Sequence, residues 1–445
     1  MNTRKARKRL PQEPVRVKIE SLSHDGRGVA RVEGKTVFVD GALPGEQVSF
    51  VYTRQARRHD EGRVCELHSE SPHRVTPGCG SFAICGGCSL QHLDPQQQIL
   101  AKQQTLLDNL ERIGRVAPQR LLEPLTGPVW GYRNKARLGV KFVRKKGRVL
   151  VGFREKRSPY LADIPRCEVL HPDIGPRLAE LAELIQAMDA RERIAQIEVA
   201  VGDDAAALVF RNLDPLSPGD TRRLGDYAEQ TGLQLYLQPA GPDSIVPLGA
   251  PCAELYYRLP EHNLSLHFLP ADFTQVNPAI NQHMVRQALS LLELSAEHRV
   301  LDLFCGLGNF TLPMARCAAR VVGVEGDTGL VQRARDNAAR NRLNNVEYHA
   351  MDLSGDAWRE SWMRQSYDRL LLDPPRSGAQ EIVEGLPKSA PTRVVYVSCH
   401  PGSLARDAGI LVHKHGYQLA AAGVMDMFPH TTHVESMAVF ERQDG

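Results

Sequence analysis

A cysteine near the C-terminus has the setting of a nucleophile. In the stretch VVYVSCHPGS, residues 394–403, an apolar run typical of a buried strand ends at Ser398 and is followed by Cys399 and then Pro401. A thiolate is strongly nucleophilic and can form covalent intermediates with a substrate. Free cysteine is also a common small apolar residue of protein cores, so a catalytic role for Cys399 depends on which reactive groups share its location.

Carboxylates recur where predicted strands of the same region end. RVLDLFCGLGNFT, residues 299–311, runs from a strand through a glycine turn into a helix, whose free N–H groups can contact a ligand. Glu325, Asp352 and Asp373 each follow a later strand, and ligands of open α/β sheets bind beyond such carboxyl ends. An acidic residue about twenty positions after the turn suits ribose hydroxyls. NAD binding would require a third glycine where Thr311 stands, so the turn does not follow the NAD pattern.

Four further cysteines form a candidate metal site. Three lie in a glycine-rich loop with C-x5-C-x2-C spacing, and a fourth lies well downstream; they are Cys79, Cys85, Cys88 and Cys167. Nine cysteines, an odd count, fit metal or catalytic use better than a disulfide framework. Four thiolates can hold zinc or an iron–sulfur cluster, and His73 or His92 could supply a zinc ligand.

The elements that must position these residues form several predicted domains. From about residue 270, strands and helices alternate as in a doubly wound α/β domain with a mostly parallel sheet. Short strands separated by glycine turns predict a small β-barrel near the N-terminus. A helix is predicted from apolar residues at helical spacing, Ile99, Leu106, Leu110 and Ile113. The predicted organisation is a basic disordered arm at 1–14, a barrel at 15–70, a central α+β domain at 71–94 and 125–265, an amphipathic linking helix at 95–124, and the α/β domain at 266–445.

The positive charge of the chain is concentrated in one segment. Residues 131–166 contain twelve Lys or Arg against two acidic residues, a net charge of +10 in a chain whose total is +3. Arg133, Lys135 and Arg137 alternate along a predicted strand and so share one face, and aromatic residues are interleaved with the charges. Cations that hold phosphates and rings that stack on bases are typical of a polynucleotide surface, so nucleic-acid binding is favoured over a merely solvated face.

Composition and hydropathy favour a cytosolic protein. The chain is 42% hydrophobic and 24% charged, as in ordinary soluble proteins, and its apolar runs fall short of the roughly 18–20 residues of a membrane span. The N-terminus, MNTRKARKRL, is basic but has no apolar stretch behind it, so a secretory signal is not predicted. We expect a cytoplasmic monomer with no membrane partner.

Several motifs carry a family resemblance over nearly the whole chain. GRGVARVEGKTVFVDGALPGEQV resembles a TRAM domain, an OB-like RNA-binding barrel, and the strand and glycine-turn pattern resembles class I S-adenosylmethionine-dependent methyltransferases. Three further stretches, FTQVNP, VSCHPGSLARD and DMFPHTTHVESMAVF, narrow the resemblance to uracil-C5 RNA methyltransferases. In place of the family's usual residues, His400 replaces Asn and Thr432 replaces Gly.

The resemblance implies a set of site residues. Cys399 corresponds to the family's nucleophile and Glu435 to its general base, while Asn277 is expected mainly to cap the following helix. S-adenosylmethionine would be bound by Gln275, Phe304, Asn309, Glu325, Asp352 and Asp373. Members with this cysteine spacing hold a [4Fe–4S] cluster, which here would be ligated by Cys79, Cys85, Cys88 and Cys167.

The chemistry of such enzymes explains why these residue types are needed. C5 of uracil is a poor nucleophile until a thiolate adds at C6 and converts the ring into an enolate. C5 can then attack the sulfonium methyl group, and a base must remove the C5 proton before the thiolate can leave. Because the target base has to leave any stack to meet the thiolate, an unpaired or flipped uracil is expected.

The combination of barrel, four cysteines and catalytic domain is most similar to family members that act on 23S ribosomal RNA. The same chemistry on a different uracil of 23S ribosomal RNA, or on tRNA, is the alternative; the related tRNA enzyme lacks the cysteine cluster. A hypothesis of another class is an RNA-binding or redox-sensing protein with an inactive catalytic half. Intact Gln275, Asp373, Cys399 and Glu435 argue against it.

Overall fold

The computed structural model of the chain describes residues 10–249, 252–355, 357–387 and 389–442. The chain forms two compact units, the first made of Met1–Ala83, Cys88–Ala101 and His430–Thr432 and the second of Ile84–Gly87, Lys102–Pro429 and His433–Gly445. The predicted basic arm falls largely on residues 1–9, which lie outside the described residues. No helix in the described part of the chain combines the length and apolar character needed to cross a bilayer.

The N-terminal part of the first unit is a six-stranded sheet. Its strands are β1 (Val15–Lys18), β2 (Ser21–Leu22), β3 (Gly28–Val32), β4 (Lys35–Asp40), β5 (Gln47–Gln55) and β6 (His59–Ser69). In the order β1-β5-β6-β4-β3-β2, β4 and β6 are parallel and the other neighbours are antiparallel. Alternate strand side chains point to one side, as expected of half-buried strands. Together with two residues just beyond strand ends, Ile19 and Ala42, they form a core that also contains Ala30, Val37, Val39, Val48 and Phe50.

The predicted linking helix is present as α1 (Pro95–Asn109) and continues as a π-helical turn, Leu110–Gly114. The helix begins with Pro95. Proline is tolerated at this position because the N–H that it lacks would have no partner within the helix. Leu106 and Leu110 are fully buried, as the helical spacing predicts, but the side chain of Ile113 is 52% exposed. The π turn has more residues per turn than an α-helix, so the apolar face rotates and Ile113 no longer continues it.

The central part of the second unit is a second six-stranded sheet with helices. It contains β8 (Lys135–Val143), β9 (Arg148–Gly152), β10 (Ile194–Val201), β11 (Ala206–Asn212), β12 (Gln234–Leu237) and β13 (Val246–Pro247), with α2 (Leu178–Gln186) and α3 (Pro218–Thr231). The order is β13-β12-β11-β10-β8-β9, with β11 and β12 parallel. This is the predicted α+β arrangement, and the basic segment forms the β8–β9 hairpin.

The C-terminal part of the second unit is an α/β domain. A hairpin, β14 (Leu255–Leu259) and β15 (Leu264–Phe268), precedes it. The strands are β16 (Arg299–Leu303), β17 (Arg320–Glu325), β18 (Val346–Ala350), β19 (Arg369–Leu372), β20 (Arg393–Ser398), β21 (Gln418–Met425) and β22 (Glu435–Glu441). The helices are α4 (Pro278–Leu292), α5 (Thr311–Ala315), α6 (Thr328–Arg340), α7 (Gln380–Glu384) and α8 (Pro401–His415).

The strand order creates a crevice at one edge of this sheet. It runs β18-β17-β16-β19-β20-β22-β21-β7, where β7 (Arg120–Leu121) comes from the segment after α1. The first five strands are parallel and β22 is antiparallel to β20. After β16 the chain adds β17 and β18 on one side of this strand and then crosses to β19 on its other side. The crevice lies beyond the carboxyl ends of β16 and β19, where the strand order reverses.

β7 extends the sheet with a piece of chain far away in sequence. Arg120 and Leu121 pair in parallel with Ala421 and Ala422 of β21. Gly423 permits this close approach, because a Cβ atom there would lie only 2.6 Å from the Cβ of Leu122. The linking segment is therefore part of the sheet that carries the C-terminal strands.

Candidate active site

Cys399 and Glu435 meet at the same edge of the sheet. Cys399 directly follows β20, and Glu435 begins the antiparallel neighbour β22. The last residue pair of the ladder is Ser398 with Ser436, and the Ser436 hydroxyl donates to the Ser398 carbonyl at 3.3 Å. Residues opposite each other on such strands have Cβ atoms about 4.5–5.5 Å apart. The fold thus brings the predicted nucleophile beside the predicted base.

His400 caps the helix that follows the cysteine. The Nδ1 atom of His400 accepts the Ser403 N–H at 3.2 Å, and α8 begins at Pro401. Burial, together with the charges of Arg376 and Arg406, lowers the pKa of His400, which keeps Nδ1 unprotonated and able to accept. Asparagine is a common cap in this position, so the imidazole performs the same local function as the residue that it replaces.

The electrostatics of the pair favour a neutral thiol at rest. Burial raises the pKa of Cys399 to about 11, with contributions from the Glu435 and Asp373 carboxylates, and the Arg376 guanidinium opposes the increase. Burial likewise raises the pKa of Glu435 to about 8, with Asp373 adding to it and Lys102 and Arg376 opposing it. Glu435 therefore changes its charge near neutral pH, which suits the predicted role of general base.

Asp407, in the same motif as the cysteine, anchors the loop of residues 374–379. Its carboxylate is fully buried and accepts hydrogen bonds from the Ala379 N–H at 2.8 Å and the Tyr396 hydroxyl at 2.7 Å. Arg406 Nε donates to the same carboxylate at 2.8 Å. The sequence analysis gave Asp407 no role; its position in the motif was the available signal. The loop that it anchors carries Arg376 toward Cys399.

Asp373 interacts both with the glycine turn after β16 and with the pair formed by Cys399 and Glu435. It follows β19, and its N–H donates to the Leu303 carbonyl at 3.3 Å, so the ends of the two central strands are joined. Burial raises the pKa of Asp373 to about 7, and the charge of Glu325 adds to the increase. The same carboxylate raises the pKa values of Cys399 and Glu435. Asp373 is thus in electrostatic contact with both the glycine turn and the reactive pair.

The glycine turn after β16 is held in an unusual backbone conformation. Phe304 has a φ of +67°, which is rare for a bulky residue, and Gly306 and Gly308 have φ of +56° and +100°. The Phe304 N–H donates to the Val324 carbonyl at 2.8 Å. The Glu325 carboxylate accepts the Gly306 N–H at 3.1 Å. Strained turns of this kind concentrate at ligand sites.

Asp302 is a further candidate site residue, outside the predicted set of cofactor-binding residues. It is fully buried at the end of β16, where one carboxylate oxygen accepts the Thr311 hydroxyl. The other oxygen has no hydrogen-bond partner among the described residues. Burial raises its pKa to about 8, with the charges of Asp373 and Glu325 adding to the increase. A buried oxygen without a partner is expected to receive a ligand or water; the acidic residue before the LFCGLG turn was its sequence signal.

Two predicted cofactor residues have other contacts. Asn309 exchanges amide hydrogen bonds with Asn281 at 2.8 and 3.0 Å and accepts the Tyr257 hydroxyl at 2.9 Å. Asp352 is exposed and accepts the Ser354 N–H at 2.9 Å, which lowers its pKa. The structure thus commits the Asn309 amide to bracing α4 and the β14–β15 hairpin.

Gln275 lines a cleft near the start of α4. Asn134, Tyr257 and Asn281 line the same cleft. Asn277 accepts the Ile280 N–H at 3.3 Å and caps α4, as predicted. The glutamine is therefore available for a ligand while its neighbour is used by the helix.

Residues 430–432, shortly before Glu435, belong to the first unit. The His430 N–H donates to Gln98 Oε1 on α1 at 2.8 Å. The methyl group of Thr432, which stands where the family usually has glycine, lies against Gly26, where a Cβ atom would be 2.9 Å from Thr432 Cγ2. In this unit, Gly26 has a φ of +81°. The added bulk of Thr432 is thus accommodated by a glycine opposite it.

The predicted metal ligands are distributed over both units. Cys85 and Cys167 pack against the core of the central sheet in the second unit, while Cys79 and Cys88 belong to the first. Gly87 donates its N–H to Cys85 Sγ at 3.4 Å. Among the described residues, no three His, Cys, Asp or Glu side chains are grouped as a metal site. The iron–sulfur cluster therefore stays a prediction.

Comparison with known proteins identifies the relatives of this chain. The family model for tRNA (Uracil-5-)-methyltransferase matches residues 252–443, and that for the TRAM domain matches residues 8–49. A curated 23S rRNA (uracil(1939)-C(5))-methyltransferase RlmD from Alkalilimnicola ehrlichii is 55% identical over 438 residues, which is 98% of each chain. The protein of the same name from Methylococcus capsulatus is 54% identical over 443 residues, 99% of this chain and 100% of that one. The chain belongs to this RlmD family.

A solved structure has the same fold as this member of the RlmD family. The Pyrococcus abyssi tRNA (uracil-54, C5)-methyltransferase, crystallised with S-adenosyl-L-homocysteine, superimposes with a TM-score of 0.70 at 23% identity. The match covers 96% of this chain and 100% of that protein. The predicted N-terminal TRAM domain and C-terminal methyltransferase domain are therefore confirmed.

Proposed function

We propose that the protein transfers a methyl group from S-adenosylmethionine to C5 of a uracil in 23S ribosomal RNA, through a covalent bond between Cys399 and C6 of the base. The observation that carries the mechanism is the meeting of Cys399 and Glu435 across adjacent strands beside the crevice. Membership of the RlmD family supports the substrate. The same chemistry on another uracil, or on tRNA, is the alternative.

Cofactor binding would use the carboxylates around the glycine turn. The partnerless oxygen of Asp302 provides a hydrogen-bond acceptor. The Glu325 carboxylate lies at the glycine turn, and Asp373 lies close enough to interact with its charge. Such groups suit a cation with an amino group and ribose hydroxyls. Gln275, Phe304, Asn309 and Asp352 complete the predicted set. When bound, S-adenosylmethionine supplies an electrophilic methyl group.

The first reacting group of the chain is Cys399. Its thiol must lose its proton to solvent before the sulfur adds to C6, and a pKa of about 11 makes the thiolate rare in the free protein. Arg376 favours the thiolate, because its charge opposes the increase in the pKa. The S–C6 bond moves an electron pair onto the ring, and C5 then uses that pair to accept the methyl group.

The second reacting group is Glu435. After methyl transfer, C5 carries both the methyl group and its original proton. The Glu435 carboxylate removes this proton, the electron pair re-forms the C5–C6 double bond, and the Cys399 sulfur leaves as a thiolate. Because burial raises the pKa of Glu435 to about 8, the side chain is a stronger base than an exposed glutamate.

The four predicted metal-ligand cysteines are proposed to hold a [4Fe–4S] cluster with a structural or RNA-docking role. Thiolates are the usual ligands of such clusters, and Cys79, Cys85, Cys88 and Cys167 are all partly buried rather than enclosed in a core. The support is the C-x5-C-x2-C spacing and the family resemblance. An unpaired or flipped uracil as substrate, a monomeric state and a cytoplasmic location complete the proposal.

The test uses 23S ribosomal RNA from a strain that lacks the gene, incubated with methyl-labelled S-adenosylmethionine. The wild-type protein should methylate one uracil, located by mapping. Glu435→Gln should methylate the base and then stall as a protein–RNA adduct that survives a denaturing gel. Adding Cys399→Ala should abolish the adduct, while Glu441→Gln, at the other end of β22, should behave like the wild type. Abundant adduct in the double variant would exclude Cys399 as the nucleophile.

A further inference from the structure

A buried lysine lies close to the base from a different part of the chain. Lys102, on α1, has a side chain that is only 2% exposed, and its Nζ atom lies 2.6 Å from Asp426 Oδ1. Nζ also donates to the Phe428 carbonyl at 2.9 Å. Asp426 is 4% exposed. Burying an ammonium group is costly unless it is paired and hydrogen-bonded, and both conditions are met here.

The two partners of Lys102 lie in the turn that leads to the base. Asp426 follows directly after β21, whose last residue, Met425, pairs with Glu435 on β22. The Asp426 N–H donates to the Leu125 carbonyl at 2.8 Å, so the start of the turn is held on the backbone side as well. The positive charge of Lys102 is therefore fixed next to the cross-strand partner of Glu435.

The charges that act on Glu435 come from both sides of the site. Asp373 and Cys399 face it from β19 and β20, and the two cations that oppose the increase in its pKa are Lys102 and Arg376. Arg376 is exposed, so solvent and salt screen its charge, whereas the charge of Lys102 is buried and is screened much less. The interaction is reciprocal, because the charge of Glu435 opposes the effect of burial on the pKa of Lys102.

We propose that Lys102 is a positioning residue for proton removal: its buried ammonium, held by Asp426 and Phe428, favours the ionised form of the Glu435 carboxylate. The proposal rests on the proposed role of Glu435 as the base. The linking helix α1 would thus contribute to the reaction through Glu435, without contacting the uracil or the cofactor itself.

The measurement is the rate at which the methylated adduct resolves, followed over a range of pH. Without Lys102 the pKa of Glu435 should rise further. Below its pKa, a base acts through its charged fraction, which falls about tenfold for each unit of increase. Lys102→Met should therefore resolve the adduct at least about tenfold more slowly at pH 7 and approach the wild-type rate above about pH 9.5.

Two further variants separate charge from folding. Lys102→Met combined with Asp426→Leu replaces both members of the pair by apolar groups, a change that proteins often tolerate at a buried ion pair, and it should show the same shift in the pH profile. Arg393→Met is the matched control, since this partly buried cation also bonds a carbonyl, that of Leu291 at 2.7 Å, and a carboxylate, that of Glu441 at 2.8 Å. It lies at the opposite end of β20 from Cys399 and should leave the profile unchanged.

The outcomes distinguish this proposal from the function on which it rests. If Glu435→Gln resolves the adduct at the wild-type rate, the base assignment fails. If Glu435→Gln stalls while Lys102→Met resolves normally at pH 7, only the role of Lys102 is overturned. A Lys102→Met rate that is equally low at every pH would also overturn it, because misfolding of the turn would give that result.

Discussion

The carboxylate that we propose as the base should also suppress the reactivity of the proposed nucleophile in the free protein. Glu435 starts the strand next to the one that ends just before Cys399, and its charge helps to raise the pKa of the thiol to about 11. We predict that Glu435→Gln makes Cys399 more reactive toward a small alkylating agent while it prevents turnover. The substitution removes the charge and retains the shape of the side chain.

The magnitude follows from the geometry. Two unit charges about 6 Å apart interact by about 2.8 kcal/mol at an effective dielectric constant of about 20. Partial exposure of both groups reduces this, and a decrease of about one pKa unit, about 1.4 kcal/mol, is a conservative value. The thiolate fraction then rises about tenfold. Because the nucleophilicity of a thiolate falls as its pKa falls, with a Brønsted coefficient of about 0.4–0.5, the net increase in rate is about threefold.

The difference in alkylation rate between Glu435→Gln and the wild type should depend on pH. The pKa of Glu435 is about 8, so at pH 6.5 the wild-type side chain is mostly neutral and the two proteins should alkylate at nearly equal rates. As the pH rises through 8, the wild-type carboxylate becomes charged and opposes the thiolate, so the ratio of the rates should approach three by about pH 9.5.

The assay is alkylation by iodoacetamide, quantified by mass spectrometry of the peptide that contains Cys399, which separates this thiol from the other eight cysteines. Glu441→Gln, on the same strand but at its far end, is the control and should match the wild type. Equal rates for Glu435→Gln and the wild type at pH 9.5, or slower alkylation of the variant, would refute the electrostatic coupling of the two groups.

Other predictions concern the surface, the helix cap and the metal. Arg137 and Lys141 are exposed on β8, so Arg137→Gln with Lys141→Gln should weaken RNA binding, and the slope of log affinity against log salt should become shallower by about 0.7 for each lost phosphate contact; an unchanged slope would contradict a role in binding. His400→Ala should cost about 1 kcal/mol of unfolding free energy and His400→Asn almost none, measured by denaturant titration, because asparagine can also cap α8. Protein purified without oxygen should be brown with about four irons per chain, and Cys167→Ser should lose most of them; stoichiometric zinc and a colourless wild-type protein would reject the cluster.

The sequence predicted the parts of the site that depend on local pattern. Cys399 and Glu435 both lie at strand termini that are visible as apolar runs, so their placement at one sheet edge follows once the α/β order is assumed. Asp407 was visible in the motif, but its role as an anchor requires knowing that the loop of residues 374–379 folds back over it. The carboxylate of Asp302 could be seen as well, although the unpaired oxygen could not.

Contacts between distant segments escaped prediction for a physical reason. Lys102 lies in a polar stretch of a predicted helix, where a lysine normally faces solvent. Its burial depends on Asp426, which is 324 residues away in sequence, and pairing over such a distance leaves no periodic signal. Ile113 was misassigned to the buried face, because a π turn interrupts the 3.6-residue period without a marker in the composition.

The two residues of β7 determine where the catalytic region can be cut if it is to be transferred to another protein. The family match begins at residue 252, but the sheet that it describes is completed by Arg120 and Leu121, more than a hundred positions earlier. A fragment cut at that boundary would leave the β21 edge without its neighbour, and bare edges promote aggregation. It would also leave the Asp426 carboxylate buried without its cation. Grafting the catalytic region onto a new RNA-binding module should therefore succeed only when the transferred segment includes the linking helix α1 and the short strand β7.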